Sequence, residues 1–313
     1  MLYRKIRSYI DAHLRSNEDK ILLIEGARQI GKSYIIRDVG TELYDNYVEI
    51  NFVEDDAGDK IFRNVRTTEE FYLNLSMVAG FKLDKYENTL VFIDEIQHYP
   101  QFLTMLKFLR QEHRYRFICS GSLLGIALKK TVSVPVGSII PKKMYQLDFE
   151  EFLIANDFGE DAIVHLRKSF EQKQPLAPEV HDKVLSLFKR YLLVGGMPDA
   201  VNEYLNSHNI VKVREAQESI RELYGVDASR YEEDAAKKLY IRRIYDMIPS
   251  QMENKKKRIV AKDILDRKGD RFSNYMEEFE YLINSGITIA SNAISNPKYP
   301  LAESQQKNLL KLL

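Results

Sequence analysis

The chain has 313 residues, enough for one large hydrophobic core or for two domains and part of a third. Hydrophobic residues make up 44% and charged residues 29%, which is ordinary for a globular protein, and no tract has low complexity. Because 46 Lys and Arg residues balance 46 Asp and Glu residues, the molecule as a whole has no long-range attraction to nucleic acid or to a membrane. Such a partner would have to bind a local charged patch.

The cysteine count and the first residues indicate where the protein resides. Cys119 is the only cysteine, which excludes an internal disulfide and fits a reducing compartment. Residues 1–16 are charged throughout and lack the apolar segment of a signal peptide. The longest apolar runs span only a few residues, far fewer than a membrane helix needs. We therefore predict a cytoplasmic protein with no membrane partner.

Short apolar runs alternate with helical patterns over the first 146 residues. The helical spacing of apolar residues near the start of the chain predicts an opening helix, with Tyr3, Ile6, Ile10 and Leu14 on one face. Strands are predicted at residues 21–24, 47–52, 90–93, 116–119 and 144–147, and further helices at 34–39, 69–78 and around 102–109. This alternation predicts an α/β domain in residues 1–146, with a mostly parallel sheet covered by helices on both faces.

After about Gln146 the pattern becomes helical. Helices are predicted at residues 149–155, 161–170, 184–193, 200–205 and 211–223. The loop Lys173–Pro178, with two prolines, interrupts this series. We assign residues 147–234 to this helical region. Residues 235–313 read as three helices followed by the alternating stretch Gly286–Ile294, an order that favours a winged-helix-like segment.

One segment matches the phosphate-binding pattern G-x-x-x-x-G-K-[ST]. It reads Gly26, Ala27, Arg28, Gln29, Ile30, Gly31, Lys32 and Ser33, and Tyr34 follows in a predicted helix. Glycines let the backbone curve so that successive N–H groups point at a phosphate, and the following helix adds its positive end. Lys32 is predicted to reach the β- and γ-phosphates, and the Ser33 hydroxyl to bind magnesium.

The alternative interpretation of this segment is a glycine turn before a helix. A chance match in a chain of this length has a probability of about one per cent at average residue usage. The match also lies between an apolar strand and a helix, the context in which phosphate-binding loops occur. We therefore predict that residues 26–34 bind ATP together with Mg²⁺.

Two carboxylates, Asp94 and Glu95, end the third predicted strand. At the tip of a strand beside the P-loop strand, Asp94 is expected to hold the water shell of the magnesium ion, and Glu95 to act as general base on the attacking water. The alternative is a strand that ends in a solvated acidic turn. Glu95 directly after Asp94 favours water activation within one subunit, so hydrolysis is predicted as well as binding.

Two serines, Ser120 and Ser122, follow the fourth predicted strand, which we expect to lie between the first and the third. Each is a candidate catalytic residue, because a hydroxyl at this tip can hydrogen-bond the γ-phosphate or the attacking water. For either serine taken singly, a serine-rich turn is an equal alternative. Cys119 is interpreted as a buried strand residue.

Five motifs occur in a fixed order: GARQIGKS, VFIDEIQHYP, FICSGS, YQLDFEEFL and LVGGMP. In them the chain resembles the prokaryotic AAA+-type P-loop ATPases in which a DEIQ motif ends the second acidic strand. The resemblance implies nucleotide and magnesium roles for Lys32, Ser33, Asp94 and Glu95, and a sensor segment at the two serines. It also implies a helical lid that begins at Asp148–Phe152 and contains the turn Gly195–Pro198.

The chain departs from this family in two respects. Many members have an arginine before the DFEEF segment that acts across subunits, but the stretch here is Pro135–Ser138, so no such arginine is assigned. Arg110, Arg114 and Arg116 are candidates by position only. Members also typically continue into a nuclease-like domain of unknown function, so we expect this chain, which stops at Leu313, to be a truncation without nuclease activity.

The remaining candidates are weaker. The only dense basic region of the sequence lies in residues 255–271 and could contact a DNA backbone. It consists of Lys255–Arg258, Lys262, Arg267, Lys268 and Arg271. A solvated loop is the alternative, because Glu277, Glu278 and Glu280 crowd the adjacent helix. His98 is read as a surface residue. A homo-oligomer is a further candidate.

The function predicted from the sequence is ATP hydrolysis with magnesium that drives a conformational change in a partner, with DNA as one candidate. The alternative is a nucleotide-dependent switch or binding module that turns over little ATP by itself.

Overall fold

The structure is a computed structural model, and it describes residues 2–122, 137–228, 232, 234–253, 264 and 271–312. These residues divide into two units. Described residues up to Glu218 form the first unit, and those from Ser219 onward form the second.

Five parallel strands form the centre of the first unit. They are β1 (Ile21–Glu25), β2 (Asn46–Asn51), β3 (Thr89–Asp94), β4 (Arg116–Gly121) and β5 (Ile139–Lys143). Their order across the sheet is β2-β3-β4-β1-β5, and all four pairings are parallel. All of β3 and most of β1 are buried, which explains their continuous apolar runs, since a parallel sheet is covered on both faces.

Two details of the predicted sheet are wrong. The fifth strand is Ile139–Lys143 rather than 144–147. It is an edge strand that contains Pro141 and two lysines, a composition that an edge tolerates and that hides the strand from a search for apolar runs. The strand that ends at Asp94, β3, was expected beside the P-loop strand β1, but β4 lies between them. This position of β4, the strand of the two serines, agrees with the other expectation. Strand order depends on the crossovers, which a run of apolar residues does not encode.

Helices cover both faces of this sheet. The five helices are α1 (Lys5–Arg15), α2 (Lys32–Leu43), α3 (Phe52–Ala57), α4 (Thr68–Ala79) and α5 (Gln101–Glu112). On one face Ile10 and Ile36, from α1 and α2, pack with Leu22 and Phe92 of the sheet. On the other face aromatic rings predominate, among them Phe71 of α4, whose centroid lies 6.1 Å from that of Phe117 on β4. The predicted α/β P-loop architecture is confirmed.

Five more helices follow the sheet. They are α6 (Phe149–Ala155), α7 (Glu160–Glu171), α8 (Pro178–Val194), α9 (Pro198–Ser207) and α10 (Ile210–Asp227). This confirms the predicted helical region. Helix α6 begins at a capping box, in which Asp148 accepts from the Glu151 backbone and Glu151 accepts from that of Asp148. Pro178 and Pro198 lie in the first turns of α8 and α9. A backbone N–H in the first turn has no acceptor within the helix, so the missing N–H of proline costs nothing there.

The second unit contains helices α11 (Ala235–Glu253) and α12 (Met276–Asn284) and the antiparallel strands β6 (Ala290–Ile294) and β7 (Gln305–Leu312). Its buried residues include Ile241, Ile244, Phe279 and Leu282. The predicted alternating stretch contains β6, whereas the winged-helix assignment stays a prediction.

The basic segment 255–271 lies almost entirely outside the described residues, which include only Ile264 and Arg271 of it. Among the described helices, none is both long enough and apolar enough to cross a bilayer.

Candidate active site

The segment between β1 and α2 forms a tight loop with glycine at both ends. Gly31 has φ +92°, in the left-handed region that favours glycine. A Cβ atom on Gly26 would lie only 2.4 Å from the carbonyl oxygen of Met144, so no side chain fits there. The first turn of α2 begins at Lys32. The loop therefore leads directly into a helix N-terminus, where backbone N–H groups lack partners within the helix and attract anions.

Lys32 is buried beneath this loop, with 6% of its surface exposed. Its Nζ donates to the carbonyl oxygens of Gly26 at 3.0 Å and Ala27 at 2.8 Å. Burial lowers the pKa of Lys32; the charges of Glu95 and Asp94 oppose this, and the charge of Arg28 adds to it. The ammonium group is thus surrounded by oxygen atoms in the loop that is predicted to receive a phosphate.

Asp94 connects three segments of the site through both of its carboxylate oxygens. Ser33 Oγ donates to Oδ2 at 2.6 Å. The backbone N–H of Glu95 donates to Oδ1 at 2.9 Å, and the Ser120 hydroxyl also donates to Oδ1. Asp94 is only 4% exposed, so these hydrogen bonds compensate for the loss of water around its charge. The carboxylate is therefore oriented toward the start of α2.

Glu95 occupies a left-handed backbone conformation, with φ 52° and ψ 43°. Non-glycine residues are uncommon in this region and are often found at functional sites. Ser122 Oγ donates to Glu95 Oε2 at 3.0 Å, and the side-chain amide of Gln97 donates to the same oxygen. Gln97 Nε2 also lies 3.2 Å from Ser122 Oγ. The carboxylate is held by two neighbours, with both hydrogen bonds on one of its oxygens.

Sequence reasoning missed Gln97. It is 5% exposed, and its Oε1 atom is a buried acceptor without a hydrogen-bond partner among the described residues. A signal was present, because Gln97 stands two residues after Glu95 in the DEIQ motif. A side chain two positions past a strand tip turns back toward that tip here because a short 3₁₀ helix, Ile96–His98, follows Glu95.

The two serines have different hydrogen-bond partners. Ser120 pairs with Asp94, whereas Ser122 pairs with Glu95, and both serines are fully buried. Cys119 is a buried residue of β4, and burial raises the pKa of its thiol, which makes it a poor nucleophile.

Several other candidates do not approach this cluster. Tyr34 is 55% exposed on α2. His98 Nε2 donates a hydrogen bond to Asp56, with 3.2 Å between Nε2 and Oδ2, and this hydrogen bond lowers the pKa of Asp56. Gly196 accepts a hydrogen bond from the Leu147 backbone N–H at 2.8 Å, next to the start of α6.

The three arginines considered by position lie near the amino ends of the strands, opposite the site. Arg116 begins β4 and donates to the carbonyl oxygens of His13, Ser16 and Glu18. Arg110 pairs with Asp19, before β1. The guanidinium of Arg114 stacks over the ring of Tyr72 at 4.6 Å. Each has a structural partner far from the carboxyl ends of the strands.

Two family models match parts of the chain. The family model described as an AAA domain matches residues 18–153. The described residues of this match lie within the first unit. A second model, described as a domain of unknown function (DUF8612), matches residues 185–311. A search of curated proteins found no match. The predicted domain boundaries, the nuclease-like domain and the truncation stay predictions.

Among solved structures, the chain is similar to the Walker-type ATPase PABY2304 of Pyrococcus abyssi. The TM-score is 0.58 at 15% identity, over 100% of this chain and 93% of that one, which indicates a shared fold. The Orc1 protein of Aeropyrum pernix, solved in complex with DNA, gives a TM-score of 0.41 at 11% identity, over 99% and 87% of the two chains. DnaA of Aquifex aeolicus bound to AMPPCP gives 0.36 at 14% identity, over 88% and 86%. Scores below 0.5 do not establish a shared fold.

Proposed function

We propose that the first unit binds ATP with Mg²⁺ and hydrolyses it. The observation that supports this most strongly is the 2.6 Å hydrogen bond between Ser33 Oγ and Asp94 Oδ2, next to the buried ammonium group of Lys32. In P-loop enzymes a serine hydroxyl and a carboxylate at a strand tip share the metal, and the lysine binds the phosphates. Here all three groups lie at the same end of the sheet.

The donor set fits magnesium. The Ser33 hydroxyl and the Asp94 carboxylate are hard oxygen ligands, and Mg²⁺ in nucleotide sites takes few protein ligands beside phosphate and water. Ser33 and Asp94 would hold the ion. When bound, it neutralises negative charge on the β- and γ-phosphates.

The residues of the chain account for the other parts of the reaction. Lys32 exchanges the carbonyl oxygens of Gly26 and Ala27 for phosphate oxygens, which offer full negative charge in place of dipoles. Glu95 accepts a proton from the attacking water. Both hydrogen bonds to Glu95 end on Oε2, so Oε1 is the oxygen proposed to face that water.

Steady-state phosphate release and Mg-ATP-dependent melting test this proposal together. Lys32→Ala is expected to abolish stabilisation by Mg-ATP, which for the wild type is about 2.7 kcal/mol at a ligand concentration one hundred times Kd. Glu95→Gln is expected to keep that stabilisation and to lower kcat by about 10²–10⁴-fold, because it removes only the general base. Wild type that is stabilised by Mg-ATP but turns over no faster than Glu95→Gln would favour the nucleotide switch. No stabilisation at all would contradict nucleotide binding.

The two serines offer a finer comparison. Ser120→Ala leaves Asp94 with one donor fewer and is expected to raise the magnesium concentration needed for half-maximal activity. Ser122→Ala is expected to lower kcat without changing the magnesium requirement, because it affects Glu95. Equal effects of the two substitutions on both quantities would contradict this division.

We further propose that nucleotide state is transmitted to a partner through the helical region as a lid. A contact within the first unit supports this: Arg4 donates to the carbonyl oxygen of Ile30 in the P-loop at 2.7 Å and to Glu151 of α6 at 3.3 Å. Movement of the P-loop would therefore shift Arg4 and, through it, the start of α6. Limited proteolysis of residues 147–234 with and without Mg-ATP measures this, and an unchanged cleavage pattern would contradict it.

DNA is the candidate partner, on the basis of the charges in residues 255–271. A gel-shift titration across salt concentrations is expected to show affinity that falls with salt and is lost when Lys255–Arg258 are neutralised. Binding that ignores both changes would exclude this segment. Cytoplasmic location and homo-oligomerisation stay predictions.

A further inference from the structure

The side chain of Arg28 lies inside the catalytic cluster. Arg28 is the third residue of the phosphate-binding motif and is half-buried. Its Nε donates to Ser122 Oγ at 3.4 Å, and the Ser122 hydroxyl donates to Glu95 Oε2 at 3.0 Å. The Ser122 hydroxyl therefore connects the guanidinium of Arg28 to Glu95, the residue proposed to activate water.

Arg28 and Lys32 place two positive charges in the same loop. They are close enough for the charge of Arg28 to lower the pKa of Lys32. The carboxylates of Asp94 and Glu95 offset part of this positive charge. A triphosphate supplies several negative charges at this position, so the arrangement is typical of a site that binds a highly charged anion.

Many members of the family that the chain resembles have an arginine before the DFEEF segment that acts across subunits, and this chain has none there. Residues 123–136 contain no arginine, and Arg110, Arg114 and Arg116 are engaged near the amino ends of the strands. P-loop enzymes hydrolyse nucleotide about 10³–10⁵-fold more slowly without an arginine that neutralises the transferring phosphoryl group. The same arginine can come from the same chain or from another one.

We propose that Arg28 is this arginine and that it acts within its own chain. The inference rests on the proposed ATPase function. On nucleotide binding, Arg28 exchanges Ser122 Oγ for an oxygen of the γ-phosphate. The water oxygen then bonds to the γ-phosphorus, the bond from that phosphorus to the bridging oxygen breaks, and its electron pair leaves with ADP. Glu95 takes the water proton, and Arg28 stabilises the charge on the γ-phosphoryl oxygens during the transfer.

The main test compares Arg28→Ala with Arg28→Gln and Arg28→Lys. We expect each to lower kcat by about 10³-fold or more while Kd for a non-hydrolysable Mg-ATP analogue changes less than tenfold. Glutamine keeps an N–H donor for Ser122 without the charge, and lysine keeps the charge without the planar fork. Recovery of activity in Arg28→Gln would overturn the proposal, since it would show that only the hydrogen bond to Ser122 matters. The Arg28→Gln variant still tests the proposal if Arg28→Ala fails to fold.

A mixing experiment decides whether the arginine acts in cis. Arg28→Ala has an intact Glu95, and Glu95→Gln has an intact Arg28. If Arg28 worked across subunits, a mixture of the two inactive variants would regain activity; we expect none, and we expect wild-type specific activity to be independent of protein concentration. Regained activity would overturn the cis assignment.

Controls separate this inference from the proposed function. Arg15→Ala removes an exposed arginine that pairs with Asp11 on α1, and its activity is expected to equal that of the wild type. If Glu95→Gln were as active as the wild type, the proposed function itself would fail. If Glu95→Gln were inactive and Arg28→Ala hydrolysed ATP within threefold of the wild-type rate, only the role of Arg28 would fail.

Discussion

Arg4 is a buried cation that joins three separate parts of the first unit. It is 5% exposed, and its guanidinium donates to Glu151 Oε2 at 3.3 Å, to the Ile30 carbonyl at 2.7 Å and to the Tyr145 carbonyl. Arg4→Ala removes all three contacts and leaves the charge of Glu151, itself 5% exposed, without a cation. Loss of one partner of a buried ion pair costs about 3–5 kcal/mol.

The structure places the expected cost at the lower end of that range. Glu151 keeps two hydrogen bonds from backbone N–H groups, of Lys5 at 2.7 Å and of Asp148 at 3.1 Å, so its charge is not wholly uncompensated. We therefore expect a loss of about 3 kcal/mol. For a unit of this size, 1 kcal/mol shifts the melting temperature by about 2–4 °C, so Arg4→Ala should melt about 6–12 °C lower.

Thermal unfolding followed by circular dichroism measures this shift. Arg15→Ala is the matched control, because its exposed pair with Asp11 is worth only about 0.3–0.5 kcal/mol, or about 1–2 °C. Adding Glu151→Gln to Arg4→Ala is expected to recover part of the loss, since it removes the unpaired charge. A shift for Arg4→Ala no larger than that of the control, or no recovery in the double variant, would refute the reasoning.

Two further predictions concern the start of the P-loop. Gly26→Ala should lower the melting temperature and abolish stabilisation by Mg-ATP, because its Cβ would lie 2.4 Å from the Met144 carbonyl oxygen. The control is Gly137→Ala, whose Cβ would meet no atom of the described residues within 4 Å, and its stability should differ from that of the wild type by less than about 1 kcal/mol. Equal effects of the two substitutions would contradict this argument. Burial raises the pKa of Glu25 above its ordinary value of 4.5, although the charge of Lys143 opposes this, so the folded chain binds that proton more tightly than the unfolded chain and the ionised carboxylate costs stability. Glu25→Gln should thus raise the melting temperature at pH 7.5, by an amount that disappears as the pH falls toward 4.5; a difference that is constant with pH would count against it.

Features specified by neighbouring residues could be predicted from the sequence. The turn at Gly26 and Gly31 follows from glycine geometry and from the strand and helix beside it. Helix α6 was placed at Phe149–Ala155, where Asp148 and Glu151 form a local capping box. The alternation of apolar strands with helices was sufficient for the fold class, because each element's period is a property of its own segment.

Contacts between distant segments were decided by the tertiary structure alone. The position of β4 between β1 and β3 was expected, but the side-chain pairs at its tip were not: Ser120 contacts Asp94, and Ser122 contacts Glu95. Arg28 reaches Ser122 across 94 positions of sequence. Such pairings depend on how crossovers bring strand ends to one edge, and no local pattern of residues records that choice. The sequence by itself therefore predicted a phosphate-binding loop and two adjacent carboxylates, and the folded sheet determined which side chains contact them.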